Sequence, residues 1–260
     1  MRWEELTAVE FEKAVKDLGV CIIAFGVLER HGNHLPLGTD YLNGHKLCVS
    51  AASIEPAIVF PHFYFGQIFE ARTFPGTLAI NQRIMVDLIQ NVFKEISRNG
   101  IKKIILYNAH GGNSAMLKFL CQCELEQEND YQLYLYTPEG EERRKFYCEV
   151  CDTKLHGHAC ECETSISLYN HQELVKMETI DKEEYKPKRN LAHIPNLFTG
   201  LSWYSNYPEH YVGNANYASF EKGKKLFEFE TKQLADFIKA VKEDKVLEKL
   251  SKEFHKKTEF

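Results

Sequence analysis

Three short segments of this 260-residue chain carry side chains of the kind that bind divalent cations. The first places Glu29, His31, His34 and Asp40 within twelve residues, punctuated by Gly32, Pro36 and Gly38. The second presents His110 between Asn108 and the glycines Gly111 and Gly112, and the third, HGHACECETS, offers His158, Glu161 and Glu163. A mixture of imidazoles and carboxylates suits zinc, manganese or iron(II) better than calcium or magnesium, which prefer oxygen alone. Glu29 and His31 are separated by one residue, so in an extended segment both side chains leave the chain on the same side. A single histidine in such a loop reads as solvated. Four potential ligands in twelve residues, directly after an apolar run, read as a metal site. An aspartate able to bridge, with more than four further donors, predicts two ions sharing a water. Such a pair lowers the pKa of that water towards about 7 and polarises a substrate carbonyl.

The elements that must hold these residues follow from hydrophobic patterning. Residues 20–25 (VCIIAF) form a continuous apolar run that reads as a buried strand, and the first ligand loop begins where it ends. The run at 103–107 repeats this arrangement, with glycines letting the chain turn into a helix over 114–123. In a parallel sheet both loops leave the carboxyl edge and converge. Helices are predicted over 7–18, capped by Thr7 and stopped by Gly19, and over 41–54, which puts Asp40 at or just before a helix N-terminus. Another spans 81–98, with Ile84, Leu88, Val92 and Ile96 on one stripe. Short strands are expected at 57–60 and 131–136, and 138–147 reads as a charged stretch. Beyond these come a helix continuing the third segment, aromatic surface loops over 171–215 and a helical pattern over 216–250. Strands alternating with helices predict one α/β domain over 1–260, with a mainly parallel central sheet flanked by helices on both faces.

Composition narrows the partners. A formal net charge of -5 gives no electrostatic footprint for nucleic acid or an anionic membrane. No apolar stretch is long enough for a membrane span, and the amphipathic, acidic N-terminus is unlike a signal peptide; a cytoplasmic location is expected. Eight cysteines then need another reading than a disulfide framework. Cys148, Cys151, Cys160 and Cys162 lie within fifteen residues, as free thiols or as a structural zinc site. Trp203 and Tyr204, in an aromatic cluster with Tyr207, Tyr211, His193 and His210, are substrate-binding candidates of a lid, or else a subunit contact.

The three blocks are Glu29-Arg-His31-Gly-Asn-His34-Leu-Pro-Leu-Gly-Thr-Asp40, Asn108-Ala-His110-Gly-Gly-Asn113 and His158-Ala-Cys-Glu161-Cys-Glu163-Thr-Ser165. In order and spacing they resemble the creatininase (creatinine amidohydrolase) family, well over roughly the first 170 residues and loosely beyond. The resemblance implies an α/β fold, a homo-oligomer (commonly a hexamer) and a dinuclear hydrolase. It implies Glu29, Asp40 and His110 around one ion, and His31 with a bridging Asp40 at the second. In creatininase itself a glutamate two residues after the histidine of the second block completes the second site; here that position is Gly112. Branches with the His-Gly-Gly-Asn form imply Glu161 instead, which argues against creatinine as substrate. By the same resemblance His158 is the proton shuttle, with His34 and Glu163 orienting the ligands. The implied cofactors are two divalent ions, Zn2+ foremost with Mn2+ or Fe2+ as alternatives. The implied reaction is hydrolysis, by metal-bound hydroxide, of a non-peptide C–N bond in a small cyclic or linear amide. Alternatives are keto-inositol ring opening on the same site and a non-catalytic, metal-stabilised scaffold.

Overall fold

An apolar run without polar alternation is satisfied only when both of its faces are covered. In the computed structural model, which describes residues 1–181 and 183–258, strand β1 (Val20–Phe25) is buried along its whole length. It pairs in parallel with β2 (Ile58–Val59) on one side and β3 (Lys103–Asn108) on the other, and β4 (Gln132–Tyr136) extends the sheet beyond β3. The order is β2-β1-β3-β4. Phe25 stands opposite Asn108, so the two ligand loops leave the same edge side by side.

The helices are α1 (Ala8–Leu18), α2 (Thr39–Ile54), α3 (Gln82–Arg98), α4 (Ser114–Cys123), α5 (Glu141–Val150), α6 (Glu161–His171), α7 (Ser202–Asn206), α8 (Phe220–Glu243) and α9 (Leu247–Thr258). Cys21, Ile23 and Phe25 point to one side of the sheet, where Ala14 of α1, Phe93 of α3 and Leu120 of α4 close over them. Val20, Ile22 and Ala24 point to the other, against Leu47 and Ala51 of α2 and Leu234 and Ile238 of α8. The two-residue period of one strand therefore feeds two layers. Each large side chain buried this way contributes about 1.5–3 kcal/mol.

Local signals hold where they were strongest. Thr7 caps α1 in a reciprocal box with Glu10, and Gly19 ends the helix at φ 64°. Helix α3 differs in phase: Ile84 is exposed, and the buried face is Met85, Ile89, Phe93 and Ile96. Two adjacent rows of α3 are apolar, and the row carrying Met85 and Phe93 has the volume to fill the space against the sheet. The charged stretch at 138–147 is largely helical, since α5 keeps its charges outward and buries Tyr147. The C-terminal pattern breaks at Asp244, whose carboxylate accepts hydrogen bonds from the Val246 and Leu247 amides ahead of α9. Among the described residues, no helix is long and apolar enough to cross a membrane.

Candidate metal centre

The strand exits and the start of α2 are pressed together. A Cβ on Gly26 would lie 2.4 Å from the Tyr41 nitrogen, so only glycine lets the end of β1 pass against α2. That close approach carries Asp40, in the first turn of α2, back over Glu29 and His31. Glu29 and His31 are fully buried and Asp40 nearly so. On the neighbouring exit, the Asn113 amide donates to the Phe25 carbonyl (3.1 Å) and accepts from the Gln67 amide (2.8 Å). One side chain thus ties both strand ends to the aromatic loop that follows β2.

His110 Nδ1 lies 2.9 Å from Glu29 Oε1 and 3.0 Å from Asp40 Oδ2. Both oxygens are buried and lack a hydrogen-bond partner. The other nitrogen, His110 Nε2, is 3.1 Å from the Gln67 carbonyl and donates to it, so Nδ1 is the nitrogen that carries the lone pair whenever the ring is neutral. Asp40 Oδ1 faces a different imidazole, His31 Nε2, at 3.0 Å, while His31 Nδ1 is 3.3 Å from the Glu29 carbonyl. Asp40 therefore offers one oxygen to each histidine. Two buried carboxylates that face only imidazoles are costly unless positive charge sits among them, and a proton or a cation relieves that cost.

The electrostatics agree. Burial alone would push His31 down, yet Asp40 and Glu29 overrule it and lift its pKa to about 10. The same two carboxylates raise His110 well above the imidazole range against its own burial. Glu29 is held well below the usual carboxylate range, again against burial, by His110 and His158. The pocket keeps positive charge at its centre even when only protons supply it, and a divalent ion competes for that place.

The third segment departs from expectation. Glu161, expected to complete the second ion's shell and to take part in catalysis, is not brought to the cluster. Its carboxylate accepts from the Asp152 and Thr153 amides and pairs with Lys222. Glu163 takes the inward position: ligand atoms of His31, His158 and Glu163 lie within 4.8 Å of one another. The reason is helical phase, because two residues along α6 turn a side chain by about 200°. Burial, chiefly, pushes the Glu163 carboxyl up to about 8, and its Oε2 accepts from the Ala159 amide.

His158 is fixed by a two-way backbone bridge to Val212, at 3.1 and 2.9 Å, just before Ala159 turns at φ 54°. Its ring lies 4.3 Å from that of His31 and 4.4 Å from that of His210, and its Nε2 is 2.7 Å from the Arg30 carbonyl. Burial lowers its pKa to about 3, so the ring is neutral at ordinary pH. The bridge also delivers His210, whose role at the centre sequence reasoning missed. His210 Nδ1 accepts from Trp203 Nε1 at 2.8 Å, so Nε2 is the donor that meets Glu29 Oε2. The only signal was its place in the aromatic cluster. Glu70 was missed too; it reaches the cavity from the loop after β2.

A cavity of about 380 Å³ opens on this centre, walled by Trp203, His210, His158, Glu163 and Glu70. Tyr204 does not line it and is 43% exposed, because α7 turns successive side chains to different faces. His34 stands behind the ligands, 2.8 Å from the Thr164 hydroxyl. A Cβ on Gly112 would lie 2.5 Å from His110 Nε2 and 2.8 Å from Glu70 Oε1, so a side chain there would require His110 and Glu70 to move. Trp203→Phe keeps the aromatic wall but removes the donor to His210. Its expected effect is a fall of about 10–100-fold in kcat/KM with folding unchanged. Of the four clustered cysteines, Cys151 and Cys162 meet at 3.3 Å between sulfurs, whereas Cys148 is exposed.

A parallel α/β sheet whose strand ends gather imidazoles and carboxylates around one buried point defines a class, that of the metal-binding α/β proteins. Within it the chain belongs to the creatininase family, whose model, described as creatinine amidohydrolase, matches residues 4–238. The family and the relatives matched are hydrolases. A creatinine amidohydrolase of Pseudomonas putida is 29% identical over 120 aligned residues, covering 44% of this chain and 46% of that protein. A 3-dehydro-scyllo-inosose hydrolase of Thermotoga maritima is 24% identical over 268 aligned positions, covering 93% of this chain and 82% of that protein. A mycofactocin precursor peptide peptidase of Mycolicibacterium smegmatis is 28% identical over 155 residues, covering 57% and 56%. The match thus spans about half the length of the first and third relatives and most of the second. The solved structure of a manganese form of creatininase has the same fold, with a TM-score of 0.78 at 21% identity over 94% of this chain and 99% of that one.

Proposed function

We propose that this chain is a dinuclear metal-dependent hydrolase that cleaves a C–N bond in a small cyclic or linear amide. The observation that carries the reading is Asp40, with one oxygen toward His110 beside the unpartnered Glu29 Oε1 and the other toward His31. Glu29, Asp40 and His110 would hold one ion; His31, Asp40 and Glu163 the other. The donor set suits zinc, with manganese or iron(II) as alternatives. Bound there, such ions polarise a carbonyl and lower the pKa of a water towards about 7.

The chain's own groups do the rest. His158, donating through Nε2 to the Arg30 carbonyl, would take a proton on Nδ1 only in passing and hand it at once to the more basic leaving nitrogen, since burial disfavours its charged form. His210 and Trp203 fix the orientation of Glu29. The cavity of about 380 Å³ is of a size that admits a small molecule. Keto-inositol ring opening is the second reading, favoured by the relative that this chain matches over most of its length. A homo-oligomer, up to a hexamer, belongs to the proposal: Phe198 is 88% and Leu201 63% exposed in the loop beside Trp203, a face that a second copy would cover.

The test pairs elemental analysis of protein purified without added metal with assays on creatinine, formamido-pyrimidines, short peptides and keto-inositols. About two ions per chain that are lost in His110→Ala, with turnover of one small amide, is the expected result; an ion that survives that substitution belongs elsewhere in the fold. His110→Ala should abolish that turnover. Full metal content without hydrolysis of any of these would favour the scaffold reading, and turnover of keto-inositol alone the second. Light scattering reads the oligomer.

A further inference from the structure

One residue before Glu163 on α6, a second cluster of ligand atoms faces elsewhere. Sulfurs of Cys151 and Cys162 and a ring nitrogen of His156 all lie within 4.8 Å of one another. Cys151 is the C-terminal cap of α5, and Cys162 sits in the first turn of α6. His156 Nε2 is 2.7 Å from the Thr153 carbonyl and donates to it, which leaves Nδ1 with the lone pair. Both sulfurs are buried, His156 is half-buried, and a cavity of about 710 Å³ lined by His156, Cys160 and Cys162 lies alongside.

We propose that Cys151, His156 and Cys162 form a further cation site, built for a single zinc ion and separate from the carboxylate-rich centre. Two thiolates and one imidazole are a soft donor set that selects zinc over magnesium, calcium or manganese. The spacing Cys151-x4-His156-x5-Cys162 crosses the turn between two helices, so the ion pins the end of α5 to the start of α6. The neighbouring cavity leaves room for water at the fourth position, and binding releases the thiol protons to solvent. Apolar neighbours such as Tyr147 and Leu226 account for the burial of the two cysteines. They do not account for an imidazole nitrogen within 4.8 Å of both sulfurs. Cys148, which spacing alone groups with these residues, is exposed and plays no part. The site's place in the fold gives it a function: the helix start it anchors carries Glu163 and follows directly on His158.

Cobalt(II) is the probe, because thiolate ligands give it an intense near-ultraviolet charge-transfer band that oxygen and nitrogen ligands do not. Full-length protein, purified under reducing conditions and stripped with chelator, is titrated with Co2+ while circular dichroism follows folding. The expected result is a thiolate band that saturates at about one equivalent. The band should survive His110→Ala, vanish in Cys162→Ser, and shift to more than about 100-fold higher cobalt in His156→Ala, beyond what loss of an outer partner costs. If Cys162→Ser does not fold, His156→Ala on its half-buried turn carries the test. Folded protein without a thiolate band overturns the proposal. So does a band indifferent to His156→Ala, or a Cys151–Cys162 disulfide that persists under reducing isolation.

Discussion

Asp40→Asn is expected to lower kcat/KM by at least about 10³-fold, well beyond the 10–100-fold that follows loss of a group one layer removed from a metal. The side chain of Asp40 is the one point shared by the two halves of the centre, with Oδ2 at 3.0 Å from His110 Nδ1 and Oδ1 at 3.0 Å from His31 Nε2. An asparagine keeps a single oxygen. Whichever way it is turned, an NH2 group replaces a lone pair on one side, and the negative charge that both ions would share is gone. Metal content should fall by at least one equivalent, which separates this outcome from simple loss of a catalytic base. The fold should survive, because a carboxylate in the first turn of α2 contributes only about 0.3–1 kcal/mol through the helix dipole. A variant that retains both ions and most of its turnover would overturn the assignment of Asp40 as the bridge.

The parts of this site that were legible in the sequence are those whose geometry is local. The run of β1 and the loop from Glu29 to Asp40 are contiguous, and parallel pairing alone brings His110 beside them. The unread parts depend on phase or on distant contacts. Helix α6 begins at Glu161, and that starting point decides which of Glu161 and Glu163 looks inward; a pattern of E-x-E carries no such information. The phase of α3 slipped for a related reason, since two adjacent apolar rows left the choice to packing volume. His210 reaches Glu29 from 181 residues away through the bridge of His158 to Val212, and no spacing rule encodes that. The cysteines show both effects: Cys151 and Cys162 do meet, but the third member is His156 from the intervening turn.

The exchange of Glu161 for Glu163 is the sharpest point at which the structure departs from the sequence reading, and a pair of isosteric variants decides it. Glu163→Gln is expected to reduce kcat/KM by about 10²–10³-fold, the scale of removing one electrostatic stabiliser from an enclosed site. One of its oxygens is already engaged by the Ala159 amide, and the side chain stands among His31 and His158, where a neutral amide cannot offset a cation. Burial already lifts this carboxyl to about 8 without a metal beside it, so a cation placed there would displace its proton and restore the charged form, which a glutamine cannot supply. Glu161→Gln should behave in the opposite way. It weakens the pairing with Lys222 and the acceptors for the Asp152 and Thr153 amides, at a cost of about 1–3 kcal/mol in stability. Asp152 and the Tyr217 carbonyl still hold Lys222, so the start of α6 stays in place and turnover changes little. Denaturant midpoints and kcat/KM measured on both variants give a crossed pattern, with stability lost in one and activity in the other. The reverse pattern would return Glu161 to the ligand set and require a different start for α6.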